Sequence, residues 1–90
     1  MVVRRQFITA ANTTVAIELP EATHVGISVF DVLGRKVATL TDKVESSGRH
    51  SYNFDGAGLG AGIYLIDAVA RPLNAPSHVI RETRQIVLTR

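Results

Sequence analysis

Hydrophobic and polar residues alternate along most of this 90-residue chain, and this alternation predicts β-strands. In residues 14–19, for example, Val15, Ile17 and Leu19 share one face. No segment repeats apolar residues at helical spacing over several turns, so no helix is predicted. The strands that the alternation predicts are residues 14–19, 24–30, 36–40, 49–54, 63–70 and 79–88, with a short strand added at 7–10. About seven short antiparallel strands predict an all-β sandwich of the immunoglobulin-like class.

Turn-forming residues separate these segments. Asp31, Gly34 and Arg35 form a predicted structural turn, in which the Asp31 carboxylate accepts backbone N–H groups and Gly34 takes a positive φ. The polar residues 41–48 are predicted to be a loop, as are the glycine-rich residues 55–62 and residues 71–77, which contain two prolines.

Residues 63–70 are the most apolar segment, and they are apolar on both faces. This pattern predicts a strand in the middle of a sheet. Asp67 interrupts the pattern. Either the strand leaves the core at this residue, which we favour, or the carboxylate pairs with a basic residue such as Arg84.

The composition excludes several classes of protein. There is no cysteine, so neither a disulfide nor a thiolate zinc site is available. The net charge of +2 is small, and the basic residues are spread along the chain, which argues against nucleic-acid binding. The chain is expected to be one domain, with residues 13–90 forming the sandwich and residues 1–12 a linker or a short leading strand.

The sequence does not predict a catalytic, cofactor-binding or metal-binding site. The three histidines, His24, His50 and His78, lie near different strand ends and do not have metal-ligand spacing. Asp31 and Asp55 are better explained as turn caps than as catalytic carboxylates. The glycine-rich segment lacks the Lys-Ser/Thr of a phosphate loop. It precedes Tyr64 as in a tyrosine corner, where the hydroxyl bonds to upstream backbone.

Several segments together resemble a known family. These are the first strand at 14–20, the hairpin at 29–37, Gly48-Arg49-His50, Phe54-Asp55-Gly56, the segment at 59–64 and the terminal strand at 84–90. In this order they resemble the C-terminal sorting domain of the type IX secretion system of Bacteroidetes. The immunoglobulin-like domain of flagellar hook-capping proteins shares the hairpin. The resemblance covers residues 13–90, but the family's Asn-Pro-Phe-rich lead-in is absent and the loop at 71–78 is longer than usual.

The resemblance implies a secretion and surface-attachment signal that follows a larger cargo protein and is not an enzyme. It implies an outer-membrane translocon and a sortase-like protease as partners, and a secreted or cell-surface location reached through the periplasm. It also implies that partners recognise a small set of residues, namely Gly62, Tyr64, Arg84, Ile86, Val87, Leu88 and Arg90. Exposed strand edges could also pair two copies of the domain.

Two alternatives stay open at this point. One is a β-sandwich module that binds carbohydrate or another partner, and the other is a structural spacer; either would be appended to a secreted enzyme. Few aromatic residues and no tryptophan are available for sugar stacking.

Overall fold

The computed structural model describes residues 2–8 and 12–88, and these residues form an all-β domain. Seven strands follow one another along the chain: β1 (Val2–Ile8), β2 (Asn12–Leu19), β3 (Thr23–Asp31), β4 (Lys36–Glu45), β5 (Gly48–Asp55), β6 (Gly62–Pro72) and β7 (Ile80–Leu88). The described residues include no helix. The prediction of about seven strands is therefore confirmed.

The strands form two antiparallel sheets, one in the order β1-β2-β5 and the other in the order β4-β3-β6-β7. The connections β2–β3, β4–β5 and β5–β6 cross from one sheet to the other. This arrangement of a three-stranded and a four-stranded sheet is that of immunoglobulin-like sandwiches, as the sequence predicts.

The core lies between the sheets and is built from alternate residues of the strands. Ile17 on β2 and Ile27 on β3 are completely buried, as is Ile86 on β7. Because successive side chains in a strand point to opposite sides, the alternation seen in the sequence becomes one buried and one exposed face. The other buried apolar residues are Val15, Ala16, Leu19, Val25, Val29, Phe54, Tyr64, Ile66, Ala68, Ala70 and Leu88.

Two predicted boundaries are wrong by more than two residues. The loop predicted at 41–48 is largely strand, because β4 continues to Glu45 and pairs with β3 as far as Thr23. Polar residues suit this edge strand: Thr41 points inward, whereas Asp42 and Lys43 are exposed. The leading strand β1 spans Val2–Ile8 instead of 7–10, and residues 9–10 lie outside the described residues.

Strand β6 lies between β3 and β7, which confirms its predicted place inside a sheet. Its second apolar face is not buried, however: Ile63 is 45% exposed and Leu65 is 37% exposed. Asp67 lies on this outer face. Its Oδ1 accepts a hydrogen bond from Thr83 Oγ1 and lies 3.4 Å from Arg81 Nε. The favoured interpretation is wrong, because Ala68 and Ala70 beyond Asp67 are buried and the strand does not leave the core there. The carboxylate instead pairs with a basic residue, which is Arg81 and not Arg84.

The strands run between two ends of the sandwich, which measures 42 Å along its longest axis. The hairpin end contains the β3–β4 turn, the 55–62 connection and the end of β7. The loop end contains the start of β1, the β2–β3 and β4–β5 connections and the 73–79 loop. In the part of the chain that the structure describes, no helix is long and apolar enough to cross a membrane.

Candidate functional site at the hairpin end

The β3–β4 turn is held by one carboxylate. Asp31 Oδ1 accepts the backbone N–H groups of Leu33 and Arg35 at 2.9 and 3.0 Å, and Arg35 Nε donates to Asp31 Oδ2 at 2.8 Å. The Gly34 N–H donates to the Asp31 carbonyl at 3.0 Å, and Gly34 has φ of 82°. A side chain would be strained at that φ, so glycine is required there. The turn that the sequence predicts at Asp31, Gly34 and Arg35 is confirmed.

The same contacts set the charge of the turn. The backbone N–H of Arg35 is the largest influence that lowers the pKa of Asp31, and the Arg35 side chain and the N–H of Leu33 lower it further. These donors favour the ionised carboxylate, because each N–H interacts more strongly with a negative oxygen. Asp31 is therefore a structural anion whose oxygens are already occupied by the turn.

The start of β6 is fixed by a tyrosine corner. Tyr64 is buried, and its hydroxyl donates to the carbonyl of Gly60 at 2.7 Å. Gly62, two residues earlier, has φ of 145°, which favours glycine. Asp55 caps the beginning of the same connection, where its Oδ1 accepts the Ala57 N–H at 2.9 Å. The glycine-rich segment therefore serves as a corner between the sheets.

Strand β7 brings most of the predicted recognition residues to this corner. In the β6–β7 ladder, Gly62 pairs with Leu88, Ile63 with Val87 and Tyr64 with Ile86. Ile86 and Leu88 point into the core, whereas Val87 is 43% exposed. Arg84 lies farther along β7, opposite Ile66. Arg90 lies outside the described residues.

The two motifs meet in a shallow cavity of about 200 Å³ at the hairpin end. It lies between the β3–β4 turn and the start of β6, and its lining includes Leu33, Arg35 and Ile63. Val32 and Leu33 are 69% and 74% exposed at the tip of the turn. Sequence reasoning treats these two residues only as part of a turn, although two apolar side chains inside a four-residue turn are the signal that could have identified them.

Among the residues that the structure describes, the remaining titratable side chains do not form a reactive cluster. His24 Nε2 lies 3.2 Å from Asp42 Oδ1, and His50 Nε2 is 2.8 Å from the carbonyl of Ser46. Within residues 2–8 and 12–88, no three His, Asp or Glu side chains are placed to share a metal ion. Tyr52 donates a hydrogen bond to Glu45, and burial together with this carboxylate raises the pKa of Tyr52.

Comparison with known families decides which kind of sandwich this is. A family model described as the secretion system C-terminal sorting domain matches residues 10–80. The chain belongs to this family. The family consists of sorting domains of the type IX secretion system, so the resemblance inferred from the sequence is confirmed. Neither the curated proteins nor the solved structures give a significant match.

The matched segment contains only part of the predicted recognition set. The turn at Asp31 and the corner at Tyr64 lie inside it, whereas β7 begins at Ile80, where the match ends. Family membership gives this domain a role in C-terminal sorting of an exported protein, and such domains are in general non-catalytic. The recognition roles of all the predicted residues remain predictions, both inside the matched segment and beyond it: Gly62, Tyr64, Arg84, Ile86, Val87, Leu88 and Arg90.

Proposed function

We propose that this domain is the non-catalytic signal by which a larger exported protein is recognised and attached at the cell surface, and that the hairpin end is the surface that is recognised. The observation that supports the proposal is the meeting of the Asp31 turn, the Tyr64 corner and the end of β7 at that end. An outer-membrane translocon and a sortase-like protease are the proposed partners. Their recognition of this domain rests on its family membership.

The direction of the chain supports this choice of surface. Val2 pairs with Glu18 at the loop end, whereas Leu88 pairs with Gly62 at the hairpin end. A cargo protein that precedes the domain therefore joins it at the loop end. The proposed recognition surface lies at the opposite end of a domain 42 Å long, away from the point where the cargo joins.

The edge of β7 provides a means of recognition. Among the described strands, β7 has a neighbour in its sheet on one side only. Its loop-end half carries Arg81, Glu82 and Arg84, whereas residues 85–88 contain no charged side chain. Charges protect an edge strand from pairing, so the uncharged half is the part that a partner strand can join.

An export assay tests the proposal. Residues 1–90 are fused behind a signal peptide and a fluorescent reporter, in a bacterium that carries the type IX machinery, with and without a working translocon. We expect reporter on the cell surface or in the medium only when the translocon works. Retention of a folded fusion in the periplasm would contradict the sorting role, and polysaccharide pull-down would then test a carbohydrate-binding module against a spacer.

A matched pair of variants tests the surface separately. Removing residues 84–90 should abolish export, but it also removes Ile86 and Leu88 from the core, so a lost signal would not distinguish recognition from folding. Val87→Lys and Thr83→Lys both add a charge to an exposed outer-face position of β7. We expect only Val87→Lys to reduce export, with both domains folded by circular dichroism. Equal export of the two variants would exclude the hairpin-end part of β7 as the recognised surface.

A further inference from the structure

Gly26 lies in the middle of β3, where the fold itself does not require a glycine. It is paired with Asp42 on β4 and with Val69 on β6. It is not among the described glycines with positive φ. A Cβ added there would meet only Asp42 Oδ1, at an ordinary contact distance of 3.8 Å. The β3–β4 register shifts one residue farther on, between Ile27 and Ser28, whereas Gly26 itself is paired on both sides. Glycine inside a strand weakens it, and one use of such a glycine is to let a ligand or another backbone approach.

The missing side chain leaves a depression on the outer face of the four-stranded sheet. This Gly26 depression has a volume of about 200 Å³ and is lined by His24, Gly26, Asp42, Val69 and Arg71. Pockets for drug-sized ligands begin at about 300 Å³, so this one suits a compact group. It lies toward the loop end and shares no lining residue with the cavity at the hairpin end.

One guanidinium and one imidazole side chain face this depression. His24 and Arg71 are direct partners across the β3–β6 ladder, and direct cross-strand partners on one face have their Cβ atoms about 5 Å apart. Arg71 is exposed, and no carboxylate of the described chain forms an ion pair with it. A guanidinium is built to bind two oxygens of a carboxylate or phosphate at once.

Asp42 contacts the imidazole of His24 in this depression. Its Oδ1 lies 3.2 Å from His24 Nε2, so it orients the imidazole and leaves Nδ1 for another partner. Its own charge opposes a bound anion.

We propose that the Gly26 depression binds a compact anionic group, either a carboxylate or a phosphate, which lies over the Gly26 backbone and is held by Arg71 and His24. A small ion fits this description, and so does the acidic or phosphorylated end of a surface saccharide. The proposal does not depend on the sorting role, because it concerns the other half of the outer face.

Amide-resolved NMR titration of the 90-residue domain tests the proposal. The probes are inorganic phosphate, acetate, glucuronate and glucose 1-phosphate at constant ionic strength, with glucose as the neutral control. We expect saturable shifts at the amides of His24, Gly26 and Arg71 with anionic probes and none with glucose. Binding by phosphate and acetate alone identifies a site for a free ion, whereas tighter binding of glucuronate or glucose 1-phosphate identifies a saccharide end group. The absence of any saturable shift would overturn the proposal.

Four variants separate this site from general surface charge. Gly26→Val fills the depression without changing charge and should weaken binding by keeping the anion away from the Gly26 backbone. Arg71→Gln removes the main donor and should weaken binding about tenfold, the effect of one lost charge-assisted hydrogen bond. Asp42→Asn removes the opposing charge and should tighten binding. Arg81→Gln changes a basic residue of the same face that is engaged with Asp67, and it should leave binding unchanged.

Two results with these variants would overturn the proposal. One is full binding by Gly26→Val, and the other is equal weakening by Arg81→Gln and Arg71→Gln. Gly26→Ala is a milder filling of the depression and guards against a folding defect in Gly26→Val. Circular dichroism and the amide spectrum without ligand show whether each variant is folded.

Discussion

The two faces of the four-stranded sheet are built from neighbouring residues of the same strands, and they have different tasks. On β6, Ile66 and Ala68 lie on the inner face and are 3% and 1% exposed. Leu65 lies on the outer face of the same strand and is 37% exposed. Because successive side chains alternate, a change at one residue affects the core and a change at the next affects only the surface. The inner face therefore determines whether the domain folds, and the outer face remains available for recognition.

The outer face is itself divided along its length. Toward the hairpin end it presents Phe30, Ile63, Leu65 and Val87, with Lys36 Nζ 6.0 Å from the centre of the Phe30 ring. Toward the loop end its side chains are mostly charged or imidazole groups, such as His24, Asp42, Arg71 and Arg81. An apolar half suits contact with a protein surface, and a charged half suits a small polar ligand.

Ile66→Ala should have the largest effect on stability, and it tests most directly whether the inner and outer faces differ. Loss of this buried side chain leaves a cavity and should lower the free energy of unfolding by about 2–5 kcal/mol. Its neighbour is the matched control: Leu65→Ala should lower the free energy by about 1 kcal/mol or less. Urea denaturation of both variants measures the difference. Equal losses would mean that the outer face is also part of the core.

Tyr64→Phe tests one hydrogen bond of the inner face at the hairpin end. The variant keeps the buried ring but removes the hydroxyl that donates to the Gly60 carbonyl. We expect the free energy of unfolding to fall by about 1 kcal/mol, seen as a lower urea midpoint with an unchanged slope. An unchanged midpoint would show that the corner is held by the backbone alone.

Gly26→Val should act in the opposite direction, because it lies on the outer face. A Cβ at this position would meet only Asp42 Oδ1, at 3.8 Å, and Gly26 does not have a positive φ. Because valine also favours strands, the variant should be more stable by about 0.5–1 kcal/mol. Thermal unfolding measures this gain. A loss of stability would mean that Gly26 has a structural role, which would remove the reason to assign it to ligand binding.

Asp31→Asn should have the smallest effect at neutral pH and an effect that depends on pH. The donors of the turn hold the pKa of Asp31 below its ordinary value of 3.8. A lowered pKa in the folded state means that the carboxylate stabilises the fold above the ordinary pKa, and that this stabilisation is lost as pH falls through the lowered value. Wild type should therefore have the higher melting temperature at pH 7, and the difference should shrink below about pH 4. A difference independent of pH would contradict this role of the charge.

The sequence predicted the strands whose two faces differ in polarity. Val25, Ile27 and Val29 alternate with polar or small residues, and the structure buries all three of them. The turn at Asp31 was also predictable, because a carboxylate followed by glycine three residues later is a local signal. The extension of β4 was not predictable, because an edge strand contributes few buried residues and its sequence is as polar as a loop.

In the candidate site, too, some features could be predicted from the sequence and others depend on the tertiary structure. The sequence alone determined the turn, the glycine corner and the family, because each depends on residues close together in the chain or on their order. Only the tertiary structure decided that the Asp31 turn, Tyr64 and the end of β7 lie at the same end of the sandwich. It also decided that His24 and Arg71 are direct partners in the β3–β6 ladder, beside Gly26. These contacts join residues far apart in the sequence through the register of the strands, and register is set by packing of the whole sheet.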